Sequence, residues 1–266
     1  MLRSPTGYGM LWTRRGVPMK VAVVGGTGTV GAHAVRALRD KGHDAVALSR
    51  STGVDVAGGV GLDDALVGAE AVIDTTNLST LSAKASVAFF EAGTRHLLAA
   101  AERAGVSHLV TLSIVGVDRM PYDYYAGKVA QERLVAAGAV PWSIVRATQF
   151  HEFAAQIYRQ AAFGPIHLAP RARLQPVAAA EVGAYLAEVA VGAPQGRAQE
   201  IAGPLEEALD RMVQDYAGTL DEKVWTPSVS LPGKQMKALR DGLGLPVGEP
   251  RRGYQTYAEW LTSRRA

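Results

Sequence analysis

The segment Lys20-Val21-Ala22-Val23-Val24-Gly25-Gly26-Thr27-Gly28-Thr29-Val30-Gly31 decides the fold. Lys20 to Val24 is a short β-branched run. It enters a turn in which glycine recurs at every third position, at Gly25, Gly28 and Gly31. From Val30 to Arg39 the apolar residues Val30, Ala34, Val35 and Leu38 follow at helical spacing, before Gly42. The order is strand, glycine turn, helix. Such a turn lets backbone amides approach a pyrophosphate while the helix N-terminus supplies partial positive charge. Gly25, Thr27, Gly28, Thr29, Val30 and Gly31 are therefore the candidate cofactor-binding residues, Gly31 also permitting close packing of helix on sheet. The competing reading is a tight turn with a steric role alone.

The alternation continues outward from this unit. Ala45 to Leu48 reads as a second strand, Leu62 to Val67 as a short helix and Ala71 to Asp74 as a strand. A long helix runs from about Ala83 to Ala104, with Val87, Phe90, Leu97, Leu98 and Ala101 on one side. It ends at Gly105 and feeds a strand from His108 to Ser113. Tyr125 to Ala136 is a further helix and Trp142 to Arg146 a further strand. Nearly all-apolar strands alternating with helices predict a parallel sheet covered on both faces, a doubly wound Rossmann-type α/β fold with right-handed crossovers.

After Phe150 the pattern becomes helical, with connections broken at Gly164-Pro165, Gln175-Pro176, Ala193-Pro194, Gly203-Pro204 and Leu231-Pro232. The expected organisation is an N-terminal extension over 1–18 and a dinucleotide-binding domain over 19–150. A small, mostly helical substrate region over 151–266 then completes the fold over the carboxyl ends of the strands. The extension carries Arg3, Arg14 and Arg15 without the apolar run and small-residue site of a signal peptide, and it reads as a flexible arm.

Bulk properties narrow the function classes. In a chain of 266 residues, 48% hydrophobic content supports a substantial core. The net charge of +3 comes from 28 basic and 25 acidic residues spread along the chain, so no basic stripe points to nucleic acid. There is no cysteine, which removes disulfides, thiolate metal sites and a cysteine nucleophile. The histidines form no pair at metal-ligand spacing beside a carboxylate, so no metal is expected. No segment offers the roughly eighteen uninterrupted apolar residues of a spanning helix. The expectation is a cytoplasmic monomer or homodimer acting on a small molecule, without nucleic-acid or membrane partners.

The end of the second strand refines the cofactor. NAD-binding proteins place a carboxylate there to bond the ribose hydroxyls; this chain has Leu48-Ser49-Arg50-Ser51-Thr52. The Arg50 guanidinium can pair with a 2′-phosphate, so NADP is favoured over NAD. A solvated surface arginine is the alternative.

The residues also resemble a known family: the atypical short-chain dehydrogenase/reductase proteins of the NmrA-like, NAD(P)H-binding group. Besides Gly25 to Gly31, the resemblance rests on four segments. They are Asp74-Thr75-Thr76-Asn77, Leu112-Ser113-Ile114-Val115-Gly116, Tyr124-Tyr125-Ala126-Gly127-Lys128 and Val145-Arg146-Ala147-Thr148-Gln149-Phe150. It implies that Asp55 bonds the adenine amino group and that Asn77 is a cofactor-binding residue. It further implies a catalytic Tyr-x-x-x-Lys pair with a serine. Tyr124 and Lys128 fit that spacing, which puts both on one helical face, and Ser113 ends a strand where ligands collect. Tyr122 and Tyr125 are near competitors that the spacing does not select. In these implied roles Lys128 lowers the phenol pKa and bonds the nicotinamide ribose, Tyr124 passes the proton, and Ser113 holds the substrate oxygen. A helix start whose Tyr and Lys only pack and solvate is the other reading of the same spacing.

Gln149 and His151 follow the last strand on the same edge and are candidate substrate-pocket residues, with a hydrogen-bonded structural histidine as the alternative for His151. Ser113 lacks the Gly-x-Ser-x-Gly setting of a hydrolase nucleophile. Three functions remain in order. The first is an NADPH-dependent oxidoreductase reducing a carbonyl or conjugated double bond of a small organic molecule. The second is a non-catalytic NADP-binding redox sensor, and the third a sugar-nucleotide epimerase or dehydratase.

Overall fold

The structure is a computed structural model that describes residues 17–264. The expected N-terminal arm falls outside the described residues except for Val17 and Pro18, which have no regular structure. Five strands lie parallel in the order β2-β1-β3-β4-β5: β1 (Lys20–Val24), β2 (Asp44–Leu48), β3 (Ala71–Asp74), β4 (His108–Ile114) and β5 (Trp142–Ala147). Two-residue strands from the C-terminal half extend the sheet. β6 (Gly196–Arg197) and β7 (Ile201–Ala202) both pair with β5, and β8 (Arg251–Arg252) pairs with β7, all in parallel.

The chain leaves β1 for β2 on one side and returns to β3 on the other. In the register, Val24 therefore lies beside both Leu48 and Asp74. The reversal of strand order opens a crevice at the carboxyl ends of β1 and β3, the switch point where this class of sheet takes its ligands.

The strands lack polar alternation because both faces are buried. On one side Val21, Val23, Ile73 and Val110 pack with Ala34, Val35 and Leu38 of α1 (Gly31–Asp40). On the other, Ala22, Val24, Val72 and Leu109 pack with Leu97 and Ala101, beyond the single turn of α2 (Leu62–Ala65), from the long α3 (Ala83–Arg103). The same side carries Val135 of α4 (Tyr124–Ala137). The helix expected from Leu62 to Val67 thus closes after one turn, with Gly61 and Gly68 at positive φ on either side of it.

After Phe150 come α5 (Glu152–Gln160), α6 (Ala179–Ala190), α7 (Leu209–Ala217), α8 (Lys234–Arg240) and α9 (Tyr257–Ser263). Of these, α6 covers the sheet beside α1, where Val182 and Leu186 join the first core. The remaining region is less helical than its sequence suggests. Strand pairs of two residues each join Ala162–Phe163 to Ile166–His167, Ala169–Pro170 to Ser228–Val229, and Arg173–Leu174 to Glu207–Ala208. Proline cuts this stretch into segments too short for any periodicity to show. A third core of Tyr158, Leu174, Met212, Val213, Leu239 and Trp260 gathers these pieces around Met120, in the loop between β4 and α4.

One helix contact positions the site directly. Gly127 of α4 lies so close to α3 that a β-carbon there would sit 2.6 Å from the Ser86 carbonyl carbon. The Ser86 hydroxyl donates to the Tyr124 carbonyl oxygen at 2.6 Å. The first turn of α4 is therefore clamped onto α3.

Candidate dinucleotide and catalytic site

The glycine turn is tied to both flanking strands. Gly25, at φ +76°, and Gly26 donate to Leu48 O of β2 at 2.8 and 3.2 Å, and Gly28 donates to Gly25 O at 2.9 Å. On the β3 side, Thr75 Oγ1 donates to Val24 O at 2.9 Å. A β-carbon on Gly31 would run into Gly25 O and come within 2.7 Å of Thr75 Oγ1. Helix α1 begins at this cradle with Val30 as N-cap, no capping side chain and no acidic residue in its first turn. An uncapped helix N-terminus beside glycine backbone fits the pyrophosphate of a dinucleotide, since its orphan amides and dipole both favour an anion.

Arg50 opens a 3-10 turn two residues beyond the Leu48 anchor. A capping box between Ser49 and Thr52 holds that turn, with Ser49 N donating to Thr52 Oγ1 at 2.8 Å, and the arginine side chain is exposed. Asp55 Oδ1 accepts from Ala57 N at 3.1 Å, and its backbone forms a bridge with Val60, so this carboxylate is partly spent on its own loop. Asn77 Oδ1 accepts from Leu78 N at 2.9 Å and from the Tyr124 hydroxyl at 2.7 Å.

Tyr124 and Lys128, one turn apart on α4, share the ring of Phe90. The Tyr124 and Phe90 centroids are 5.7 Å apart, and Lys128 Nζ lies 4.6 Å over the same ring. Lys128 Nζ donates to Leu112 O of β4 at 2.7 Å and to Gln131 Oε1. Gln131 Nε2 donates to Asp74 Oδ2 at 2.8 Å. Burial drives the Lys128 amine down to about 8, against the opposing pull of Asp74 and Glu132. Burial raises the Tyr124 phenol well above its ordinary range, and Tyr125 and Asp74 add to the effect. Tyr124 is therefore a neutral phenol at pH 7, the form that can give a proton.

Ser113 has a carboxylate for a partner. Its hydroxyl donates to Glu132 Oε1 at 2.6 Å. Glu132 also takes two hydrogen bonds from Arg146, at 2.8 and 2.7 Å, and one from Arg197 at 2.9 Å. Burial works to raise the Glu132 carboxyl, but the bonds from Arg146, Ser113 and Arg197 outweigh it and hold the group below the usual range. The Ser113 hydroxyl is thus engaged in a charged network on the inner side of α4.

Of the two expected pocket residues, Gln149 is buried and donates from Nε2 to the Tyr125 hydroxyl at 3.1 Å. His151 is wholly buried. Its Nε2 lies 3.0 Å from Gln255 O, and its ring packs 5.8 Å from both Tyr257 and Trp260. It therefore sits inside the aromatic packing of α9.

Asp74, Gln131, Glu132 and Phe90 are site residues without a role in the sequence reading. For Gln131 and Glu132 one signal was present. Lys128, Gln131 and Glu132 stand at i, i+3 and i+4, a polar stripe on one side of α4, and all three are buried.

Fold and cradle together define a dinucleotide-binding α/β protein. The profile of the NAD(P)H-binding family matches residues 25–190, and the chain belongs to that family. It is similar to the (4-alkanoyl-5-oxo-2,5-dihydrofuran-3-yl)methyl phosphate reductase of Streptomyces griseus subsp. griseus, with 32% identity over 144 residues. That match covers 49% of this chain and 48% of the reductase, so the chain spans about half the length of the curated relative it matches. Among solved structures it resembles a short-chain dehydrogenase/reductase superfamily protein from Agrobacterium tumefaciens with bound NAD. The identity there is 19%, the coverage 92% of this chain and 96% of that one, and the TM-score 0.65. An NADPH-dependent quinone oxidoreductase from Escherichia coli is similar at 16% identity, covering 92% and 99% of the two chains, with a TM-score of 0.59. These likenesses establish the fold. Among the described residues no helix is long and apolar enough to cross a membrane.

Proposed function

We propose that this chain is an NADPH-dependent reductase acting on a carbonyl, or on a double bond conjugated to one, in a small organic molecule. The observation that carries the reading is the Tyr124 hydroxyl. It donates to Asn77 Oδ1 at 2.7 Å beside the β3 edge of the switch point, one helical turn from a buried lysine. The family supplies the cofactor class, and the Streptomyces relative is named as a reductase of a ring whose carbonyl is conjugated to a double bond.

NADPH, when bound, supplies a hydride from C4 of its nicotinamide. The cradle from Gly25 to Gly31 holds the pyrophosphate, and Arg50 pairs with the 2′-phosphate, which sets NADP above NAD. Tyr124 gives its proton to the substrate oxygen as negative charge grows there, trading its bond to Asn77 Oδ1 for one to that oxygen. Lys128 stabilises the phenolate that remains until solvent returns the proton. In this assignment Ser113 belongs to the Glu132–Arg146 network, and its proposed hold on the substrate oxygen passes to Asn77. Asp55, with one carboxylate oxygen tied to its loop, keeps the other for the adenine amino group.

NADPH consumption is measured against acyl butenolide phosphates, quinones, aldehydes and ketones. Oxidation with at least one of these, with stoichiometric reduced product, supports the reading. Tight NADPH binding without oxidation across the panel overturns it in favour of a redox-sensing protein, for which the engagement of Ser113 and Lys128 by protein partners is the supporting observation.

A further inference from the structure

The Lys128 side chain is only 4% exposed and is surrounded on three sides. The Leu112 carbonyl lies at 2.7 Å, the Gln131 side-chain oxygen is in contact, and the Phe90 ring centroid lies at 4.6 Å. Gln131 passes the contact onward to Asp74 Oδ2 at 2.8 Å, and Asp74 Oδ1 accepts from Thr76 N at 2.9 Å. The chain of bonds thus joins the end of β3, at the switch point, to the inner face of α4. An amide lying between an ammonium and a carboxylate has one favourable orientation: its oxygen to the cation and its nitrogen to the anion. That is the orientation found.

We propose that Asp74 and Gln131 are positioning residues that keep Lys128 charged and fixed beneath Phe90, one helical turn from Tyr124. The proposal deepens the reductase reading, and its kinetic arm rests on that reading.

The charges around Lys128 single out Asp74. From its own helix come Tyr124, a neutral phenol, and Glu132, which is bonded to Arg146 of β5 and Arg197 of β6. Two guanidiniums offset that carboxylate. Asp74 of β3 faces Lys128 through an uncharged amide, and α3 contributes the Phe90 ring. Burial works against the ammonium, and Asp74 is the first group opposing it.

The test is a pH titration of the lysine ε-carbon by NMR, on apo protein carrying 13C-labelled lysine, with Lys128→Met identifying the resonance. The wild-type midpoint is expected near 8. Asp74→Asn should lower it by about one pH unit or more, and Gln131→Glu, which places a carboxylate against the ammonium, should raise it by a similar amount. The alkaline limb of turnover should move in the same order, a change that a merely structural role would not produce. If Asp74→Asn fails to fold, Gln131→Glu decides alone. Midpoints unmoved in the folded variants, or moved in the opposite sense, overturn the proposal. Shifted midpoints in a protein that binds NADPH but oxidises it with none of the panel uphold the positioning network while overturning the reductase reading.

Discussion

The Tyr124 hydroxyl donates to Asn77 Oδ1 at 2.7 Å, joining the first residue of α4 to the loop that follows β3. Helix α4 is clamped to α3 through Gly127 and Ser86, so the tyrosine approaches the crevice on a rigid element with Asn77 beside its hydroxyl. In the proposed role, where the Asn77 amide N–H holds the substrate oxygen, Asn77→Ala should lower kcat by roughly three- to tenfold, the value of one hydrogen bond. Steady-state kinetics checks this, and an unchanged kcat would show that Asn77 does not hold the substrate oxygen.

Arg50 is exposed, and its backbone is held by the Ser49–Thr52 capping box. A guanidinium carried at this point is worth most to a ligand with a phosphate beside it. Calorimetry should find the Kd of NADPH raised by roughly 10- to 100-fold in Arg50→Ala, and that of NADH changed little. The loss should shrink as ionic strength rises. Equal losses for both cofactors would mean that Arg50 does not read the 2′-phosphate.

At Gly31 a single methyl group tests the cradle. In Gly31→Ala the new β-carbon meets Gly25 O and Thr75 Oγ1, so the turn must open away from β3. Chemical denaturation should show a loss of about 1–3 kcal/mol, as for other overpacked sites, together with loss of NADPH binding. A variant that binds normally would mean that the turn can relax without losing its ligand geometry.

Lys128 makes stability depend on pH in a defined window. The unfolded chain holds this proton up to an ordinary value of 10.5, whereas the folded chain releases it near 8. Between these values the unfolded state binds more protons, so raising the pH favours folding. Below about 8 the full cost of the buried ammonium is present. Relative to Lys128→Met, the wild-type apo protein should gain up to about 3 kcal/mol as pH rises from 8 towards 10.5. Urea titrations of both proteins across this range measure the difference, and a flat difference would show that Lys128 is not desolvated.

Much of this fold is legible in the chain because its strands are buried on both faces and its turns are marked by glycine. Strand β3 spans Ala71–Asp74 as its apolar run suggests, and α1 buries Gly31, Ala34, Val35 and Leu38 at helical spacing. The glycine cradle is a local pattern between a strand and a helix, and the Tyr124–Lys128 pair is a local pattern that the family resemblance points to. The Ser113–Glu132 bond and the Gln131–Asp74 bond cannot be read locally. Their partners lie 19 and 57 residues apart and meet only once α4 has docked in its register on β4 and β3. The partners of His151 are equally out of reach of local spacing, because α9 arrives more than a hundred residues later.

The most direct measurement of the central claim is single-turnover reduction by Tyr124→Phe beside the wild type, with NADPH affinity measured on the same preparations. Phenylalanine keeps the ring against Phe90 and removes only the hydroxyl. The account predicts a rate lowered by about 100-fold or more, as for loss of a general acid, with the NADPH Kd within about twofold of wild type. A rate close to wild type would contradict it, because the proton would then come from a group other than Tyr124.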